Sequence, residues 1–249
     1  MKLYLVIILI LLLWFILLQY QTKEGPTSER LDVAVIVEPR EHEFLVPVIN
    51  NIIDNVPEYT KIQIFHGTKN LDYIKKHFGN QIKSNKIILT NLNVENIDRN
   101  YYSDMLTDEL FWNNIDGEHI LIFQTDSCMC SKSSHKIEDY FQYSYIGGPL
   151  KNNDIYQNGG FSLRKKSDML KAINTKKHNE NTWPEDQWFS VKKKNILTLP
   201  TIEIAKTFSV ERVLYDSPIG IHKPWQFLNK NELNKLKESC PEISTIFHK

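Results

Sequence analysis

The sequence has few of the residues on which small cross-linked or metal-stabilised proteins depend. It contains three cysteines in 249 residues, too few for a disulfide scaffold, and its Cys-x-Cys pair alone supplies too few ligands for a zinc site. Nine glycines and ten prolines exclude collagen-like and low-complexity proteins. Because 41% of the residues are hydrophobic, the chain has enough apolar material for a packed core.

The sequence also lacks an excess of either charge. Thirty basic and thirty acidic residues give a formal net charge of zero. A protein that binds nucleic acid through bulk charge needs a basic excess, so we expect no nucleic-acid partner.

The hydrophobic residues are concentrated at the N-terminus. Every residue of Leu3–Leu18 is apolar, and no charge occurs between Lys2 and Lys23. At ~1.5 Å per residue in a helix, this uncharged stretch spans the ~30 Å hydrocarbon core of a bilayer. No small-x-small cleavage site follows, which disfavours the alternative of a cleaved signal peptide. The sequence therefore predicts a signal-anchor transmembrane helix over residues 1–22.

The flanking charges predict how this anchor is oriented. Lys2 and the α-amine lie on its short side, whereas charges of both signs cancel on the other side, so the N-terminus is expected in the cytosol. This is a single-pass type II arrangement, with the soluble part in the lumen of the secretory pathway or exposed on a membrane surface. Residues 23–30 read as a short stem, and residues 31–249 fit one domain.

Strand and helix signals alternate along this domain, which predicts an α/β fold whose mostly parallel sheet is flanked by helices. The predicted strands are Leu31–Val37, Lys61–His66, Lys86–Leu89, His119–Gln124, Phe161–Arg164 and Ile196–Leu199. The predicted helices are Phe44–Val56, Leu71–Phe78, Tyr101–Trp112, Ser134–Tyr143, Glu185–Lys194 and Asn231–Glu238. In such folds ligands bind beyond the carboxyl ends of the strands. Glu38, Arg40 and the segment from Gln124 to Ser127 are therefore candidates for chemistry.

One carboxylate, Asp126, follows the most apolar strand of the domain. A carboxylate in this position suits a hard divalent cation that bridges a diphosphate. An aspartate that caps the following turn is an equally good interpretation of the position alone.

Two further segments combine residue types that serve sugar chemistry. Gly159 and Gly160 precede a short strand, where they permit close approach of the backbone to a ligand, although a plain turn is the simpler interpretation. Glu185 and Asp186 stand at a predicted helix start between two tryptophans. They are either ordinary first-turn acids or a general base beside an aromatic sugar platform.

The order of several short motifs is more specific than any one of them. VIVEPR, IFHG, LIFQTDS, YIGGP, NGGFSLR, EDQWFS, FSVE and GIHKPW follow one another from about Leu31 to Trp225. This succession resembles the family known as domain of unknown function 5672. That family in turn resembles GT-A glycosyltransferases, in which a nucleotide-sugar-binding α/β half precedes an acceptor-binding half.

The resemblance implies roles for individual residues. Gln124-Thr125-Asp126 stands where GT-A enzymes carry the D-x-D that holds a metal ion and the donor diphosphate, with Gln in place of the first Asp. It implies a Mn²⁺ or Mg²⁺ ion held by Asp126 and by His222, which resembles the late histidine of several such enzymes. Gly159 and Gly160 resemble the floor between donor and acceptor.

The acidic pair resembles the source of the catalytic base, which we assign to Asp186 with Glu185 orienting the acceptor, although the two residues are interchangeable at this point. The residues expected at the donor are Glu38, Arg40, Gln124, Asp126, Gly159, Gly160, Arg164 and Lys223. Trp183 and Trp188 are expected to bind the acceptor.

The sequence therefore predicts a membrane-anchored glycosyltransferase that moves a sugar from a nucleotide-sugar to a hydroxyl of a glycan, protein or lipid. The missing first Asp leaves open a sugar- or nucleotide-binding module without catalysis. A third alternative is an anchored interaction scaffold of the same fold.

Overall fold

The structure, a computed structural model, describes residues 29–150, 153–175 and 183–249. The predicted anchor over residues 1–22 lies outside these ranges and stays a prediction. Within them, no helix has both the length and the apolar character that crossing a membrane requires. Residues 31–249 form one compact unit.

A six-stranded sheet crosses this unit. Its strands are β1 (Leu31–Val37), β2 (Lys61–His66), β3 (Ile87–Asn91), β4 (His119–Phe123), β6 (Tyr145–Leu150) and β7 (Asn153–Lys165). They are arranged in the order β3-β2-β1-β4-β7-β6. The first four strands in this order are parallel to one another, whereas β7 runs antiparallel to β4 and β6 antiparallel to β7. The prediction of a mostly parallel sheet is confirmed.

The helices connect and cover these strands. They are α1 (Leu45–Asn55), α2 (Leu71–Lys83), α3 (Arg99–Leu106), α4 (Glu109–Asn113), α5 (Lys166–Thr175), α6 (Glu185–Gln187), α7 (Ile202–Phe208), α8 (Lys230–Ser239) and α9 (Glu242–Thr245). A π-helical turn, Trp188–Lys192, continues α6 directly.

Hydrophobic clusters bury both faces of the main sheet, because successive side chains of a strand point to opposite faces. In β1, Ala34 and Ile36 belong to the cluster that includes α1 and α2. Val33 and Val35 belong to the other cluster, with residues of α3, α4 and α5. Both faces of the strands that end at the site are thus held by packing.

A second, three-stranded sheet lies in the later part of the chain. It consists of β5 (Ser127–Met129), β8 (Ser209–Val210) and β9 (Gly220–His222), in the order β5-β9-β8. β9 pairs antiparallel with β5 and parallel with β8. None of these strands is predicted from the sequence, because two or three residues are too few for a period-2 pattern.

Two helix predictions have the wrong bounds. The expected stop at Gly79 is wrong: α2 has non-helical dihedral angles at Phe78 but continues to Lys83. Ile82, in this continuation, packs against the core, so tertiary contacts outweigh the helix-breaking tendency of one glycine. The single helix expected over Tyr101–Trp112 is two helices, because the Asp108 side chain accepts a hydrogen bond from the Leu110 amide and starts α4.

Two other elements are also absent from the part of the chain that the structure describes. Ser134–Tyr143 contains a short 3-10 turn, Ile137–Tyr140, in place of the expected helix. Ile196–Leu199 forms no strand. There the amide of Thr198 donates to the Ser144 hydroxyl and its carbonyl accepts from the Ser144 amide, so both backbone groups are satisfied by one residue and no ladder forms.

Two of the three cysteines form a disulfide that their number did not predict. Cys130, which directly follows β5, forms a disulfide with Cys240 at the end of α8, 110 residues later. Cys128 is free and buried. One cross-link therefore ties the small sheet to the C-terminal helices, although the protein has no disulfide scaffold.

Candidate functional site

Two cavities open at the carboxyl ends of the parallel strands. The main cavity has a volume of about 410 Å³ and the smaller cavity about 300 Å³. Arg99, Tyr102 and Gln124 line both, so the two cavities share a wall. Ligand sites in parallel α/β sheets lie at this edge, where the strands end and the loops begin.

The small sheet brings the side chains of Asp126, His222 and Glu211 together. In its register Ser127 pairs with His222, so the preceding Asp126 lies beside the end of β9. Nε2 of His222 is 3.2 Å from Oδ1 of Asp126, and Nδ1 is 3.4 Å from Oε1 of Glu211, the residue that follows β8. Neither contact has the angles of a hydrogen bond, and each is an ion pair only when the imidazole is protonated. Lys223 is the fourth member, with Nζ 3.8 Å from Oδ2 of Asp126.

These contacts set the pKa values of the cluster. Burial alone would raise the pKa of Asp126, but the contact with His222 and the charge of Lys223 outweigh it and lower the pKa to about 2. Burial disfavours the charged form of His222, yet the carboxylates of Asp126 and Glu211 on either side raise its pKa above the usual value. Asp126 is therefore an anion across the physiological range of pH.

Asp126 and His222 were predicted to hold a divalent cation. One Asp126 carboxylate oxygen and one His222 imidazole nitrogen lie 3.2 Å apart, close enough to contact the same cation. Nε2 of His222 is also buried without a hydrogen-bond partner. Within the described ranges, however, no three His, Cys, Asp or Glu side chains are grouped to hold a metal ion. The pair supplies two donors, too few for a cation held by the described side chains alone.

The two acids at the start of α6 have different surroundings. Glu185 is buried and forms a bidentate ion pair with Arg164, whose Nη1 and Nη2 atoms lie 2.6 and 3.0 Å from its carboxylate oxygens. The Arg164 side chain is fully buried, and its guanidinium also lies over the Tyr145 ring. Arg164 lines neither cavity, so the structure does not bear out its predicted contact with the donor. It holds Glu185 instead.

Asp186 has no arginine partner of this kind. Its Oδ2 accepts a hydrogen bond of 2.8 Å from the Tyr156 hydroxyl and contacts the amide of Gly159 at 3.4 Å. Its Oδ1 accepts from the amide of Gln187 at 2.8 Å. Asp186 and Tyr156 both line the main cavity. Burial, and then the charge of Asp186, raise the pKa of Tyr156, so this phenol stays protonated and donates.

Gly159 and Gly160 lie within strand β7 and form no turn before it. A Cβ at Gly160 would lie 2.3 Å from Nε2 of His222, and one at Gly159 would lie 2.3 Å from Oε1 of Glu185. The two glycines therefore make room for the side chains of the site, and both line the main cavity.

The predicted donor residues of the smaller cavity are present there. Glu38, Arg40, Gln124 and Asp126 all line it. Nε of Arg40 donates a hydrogen bond to Oε1 of Glu38, and Nη2 of Arg40 donates one to Oε2, both at 2.8 Å. Because this pair is internally neutral, Arg40 offers a ligand less positive charge than a free arginine would.

Neither predicted acceptor tryptophan lines the main cavity or the smaller cavity. Trp188 is 4% exposed and packs within the hydrophobic cluster beneath α3 and α5, so its ring presents no face to a sugar. The ring of Trp183 is covered by the ammonium group of Lys192 at 4.0 Å. The motif surrounding the acids thus serves mainly to pack α6.

Sequence reasoning missed several cavity residues, namely Arg99, Tyr102, Tyr156, Glu211 and Arg212. Arg99 and Tyr102 follow β3, whose carboxyl end lies at the same edge as those of β1 and β4, and that topology was a usable signal. Glu211 ends the FSVE motif and is thus visible in the sequence as an acid without an assigned role, because its place beside His222 depends on a two-residue strand.

Comparison of the fold with solved structures finds the glycosyltransferase GlyE of Streptococcus pneumoniae TIGR4. Its apo form matches with a TM-score of 0.53 at 12% identity, covering 87% of this chain and 62% of that one. A second structure of GlyE matches with a TM-score of 0.53 at 9% identity, covering 88% and 63%. This chain thus spans less than two thirds of the length of GlyE. The similarity shows that this chain and GlyE share a fold.

The mannosyltransferase PcManGT of Pyrobaculum calidifontis, solved with GDP-Man and Mn²⁺, has a TM-score of 0.49 at 9% identity, over 76% of this chain and 61% of that one. This is too weak a similarity to support an inference. A comparison with curated protein sequences finds no match.

The sequence profile of one family matches residues 86–222, which is more than half of the chain and includes β3, β4, both predicted acids and His222. The chain belongs to this family, described as protein of unknown function (DUF5672).

Proposed function

We propose that this chain is a glycosyltransferase that moves a sugar from a nucleotide-sugar to an acceptor hydroxyl. The observation that carries the proposal is the pair of adjoining cavities with different chemistry. The Asp126, His222 and Lys223 cluster lies where they meet, and the Asp186 carboxylate faces the main cavity. Transfer needs one site for a diphosphate leaving group and another for an acceptor that loses a proton.

In this proposal the nucleotide occupies the smaller cavity and the sugar extends into the main cavity. The Lys223 ammonium offsets the negative charge that grows on the diphosphate as its bond to the anomeric carbon breaks. Lys223 has left-handed backbone angles, with φ of 36°, and its amide donates to the carbonyl of Asp126. The strained backbone is therefore tied to the backbone of Asp126, whose carboxylate the ammonium faces.

Asp126 and His222 would hold a Mn²⁺ or Mg²⁺ ion shared with the donor phosphates. Such an ion would supply positive charge against the leaving group. Glu211 lies on the far side of the imidazole, with Oε1 3.4 Å from Nδ1, where its negative charge would favour a proton on Nδ1 and leave Nε2 to the ion.

We assign the base to Asp186, because Glu185 is already paired with Arg164. The acceptor hydroxyl would transfer its proton to the Asp186 carboxylate as its oxygen bonds to the anomeric carbon. Tyr156 and the amide of Gly159 hold the carboxylate in place, which limits the geometry available to the acceptor. A glycan, a protein or a lipid can supply that hydroxyl.

The proposal also places the domain on the far side of a membrane, anchored through residues 1–22. The Cys130–Cys240 disulfide supports this placement, because disulfides persist in oxidising compartments. Carbonate extraction of membranes, followed by protease protection, tests it. Recovery of unprocessed full-length protein from the soluble fraction without detergent would contradict the anchor.

The experiment that tests catalysis is a donor screen with the full-length protein in mild detergent, with Mn²⁺ or Mg²⁺ or with EDTA. Release of a nucleoside diphosphate from one nucleotide-sugar is expected. Asp186→Asn should lower transfer by ~100-fold or more and leave donor affinity nearly unchanged, because the change is almost isosteric.

The two alternatives give different results in the same screen. A binding module would bind a nucleotide-sugar without turnover, and an interaction scaffold would bind none. Unimpaired transfer by a folded Asp186→Asn variant would reject the proposed base.

A further inference from the structure

The chain has five arginines, and all five are described by the structure. Three of them face a glutamate: Arg40 faces Glu38, Arg164 faces Glu185, and Arg212 faces Glu211 at 3.7 Å. Arg30 lines neither cavity. The remaining one, Arg99, is exposed and has no carboxylate partner among the described residues.

Arg99 also has a distinctive position. It is the first residue of α3, and it lines both cavities together with Tyr102 and Gln124. The neighbouring Asp98 does not neutralise it by an ion pair, because the Asp98 carboxylate caps the helix by accepting a hydrogen bond from the amide of Tyr101. A free guanidinium thus stands at the boundary that any ligand occupying both cavities must cross.

A nucleotide-sugar places its diphosphate between its nucleoside and its sugar. If these two parts occupy the two cavities, the diphosphate lies at their common wall. Guanidinium groups bind phosphate oxygens through paired, charge-assisted hydrogen bonds, and an arginine already paired with a carboxylate has fewer donors left for this contact.

We propose that Arg99, in place of Arg40 or Arg164, is the arginine that binds the diphosphate of the donor. The inference rests on the proposed function and deepens it. Lys223, which follows β9, also lines the main cavity. In this proposal the diphosphate lies between the Arg99 guanidinium, after β3, and the Lys223 ammonium, after β9. The two halves of the domain thereby both contact the leaving group.

The experiment is a titration of the full-length protein with UDP, GDP, ADP and CDP by calorimetry. Arg99→Met removes the charge but keeps the length of the side chain. We expect this change to lower the affinity for the tightest-binding diphosphate by ~10-fold, the usual scale for losing a charge-assisted hydrogen bond at a solvent-accessible position. Arg99→Lys should lose less affinity than Arg99→Met, because lysine keeps the charge, although it lacks the paired donors of arginine.

Two controls isolate the contact. Lys75→Met removes an exposed positive charge from α2, outside both cavities, and should leave the affinity within twofold. The matching nucleoside, followed by ligand-observed NMR, should bind wild type and Arg99→Met equally. The dependence of diphosphate affinity on salt should also be shallower in Arg99→Met, because one charge contact is gone.

Equal diphosphate affinity of wild type and Arg99→Met would overturn the inference and leave the proposed function intact. An equal loss for the nucleoside would also overturn it, because the contact would then be to the nucleoside. If wild type binds none of the four diphosphates, the proposed function fails and the inference fails with it.

Discussion

Residues 31–123 and residues 124–249 build their parts of the site in different ways. In the first half, strands that follow one another after a helix pair in parallel, as β1 with β2 and β2 with β3. In the second half, the sheet that carries the site joins β5 to β9, from segments about ninety residues apart. β4 also pairs with β1 across about ninety residues, so both halves use distant contacts. The strands of the first half have five to seven residues and carry a pattern of their own, whereas β5, β8 and β9 have two or three residues and depend on distant contacts alone.

Each half also contains an arginine paired with a glutamate by two contacts, and the two pairs differ in burial. The Arg40 side chain is 53% exposed, whereas that of Arg164 is 0% exposed. An exposed pair is screened by water and contributes little, whereas removing one partner of a buried pair leaves an uncompensated charge in the interior. The same chemistry is therefore expected to matter for stability only in the second half.

The largest expected effect tests this contrast directly. Arg164→Met should lower the free energy of unfolding by ~3–5 kcal/mol, because Glu185 is left buried without its partner. Arg40→Met, the matched change in the first half, should cost no more than ~1 kcal/mol. Urea denaturation of the two variants and wild type measures both values.

The double variant Arg164→Met with Glu185→Gln is the control. It should recover part of the loss, since no unpaired charge remains in the interior. Equal stabilities of Arg164→Met and Arg40→Met would remove the distinction between the halves.

The disulfide sharpens the comparison, because all three cysteines belong to the second half. Cys130→Ser should lower the free energy of unfolding by ~2–4 kcal/mol, since the cross-link closes a loop of 110 residues in the unfolded chain. Cys128→Ser tests only packing of a buried thiol and serves as the comparison variant. Thermal unfolding with and without reductant checks the result, and insensitivity of wild type to reductant would contradict it.

The smallest expected effects come from the same substitution, glycine to alanine, made once in each half. Gly79→Ala should stabilise the protein by ~0.5–1 kcal/mol, because no atom lies within 4 Å of the new methyl group and alanine favours the helix. Gly160→Ala should instead destabilise it by ~1–3 kcal/mol and weaken diphosphate binding, because the methyl group collides with His222. Thermal unfolding and calorimetry with the best diphosphate measure both effects, and changes of equal sign would contradict the comparison.

The parallel part of the sheet could be predicted from residue pattern alone. The bounds expected for β1 and β2 agree with the structure, because Leu31–Val37 and Lys61–His66 are β-rich runs that end at polar or proline-containing turns. The helix expected over Phe44–Val56 is observed as Leu45–Asn55, with its proline in the first turn. These elements carry their signals within their own residues.

The site could be predicted only in part. Asp126, Asp186 and His222 stand in recognisable motifs, and the structure brings all three to the cavities or their edge. Trp188 and Arg164 stand in motifs that look equally functional, but both side chains are buried. A motif indicates residue types and spacing, whereas the direction of each side chain depends on what packs behind it.

The sequence by itself determined the alternation of strands and helices, the carboxylate that follows the central strand, and the presence of an acidic pair in a helical turn. Only the tertiary structure decided which acid of the pair an arginine neutralises, since Arg164 is held against Glu185 by the register of β4 and β7 and by the packing of α6. The tertiary structure also decided that His222 contacts Asp126 and Glu211, because strands of two or three residues form only when distant segments are already packed together. Local residue preferences act over a few positions, and contacts across ninety residues depend on the whole fold.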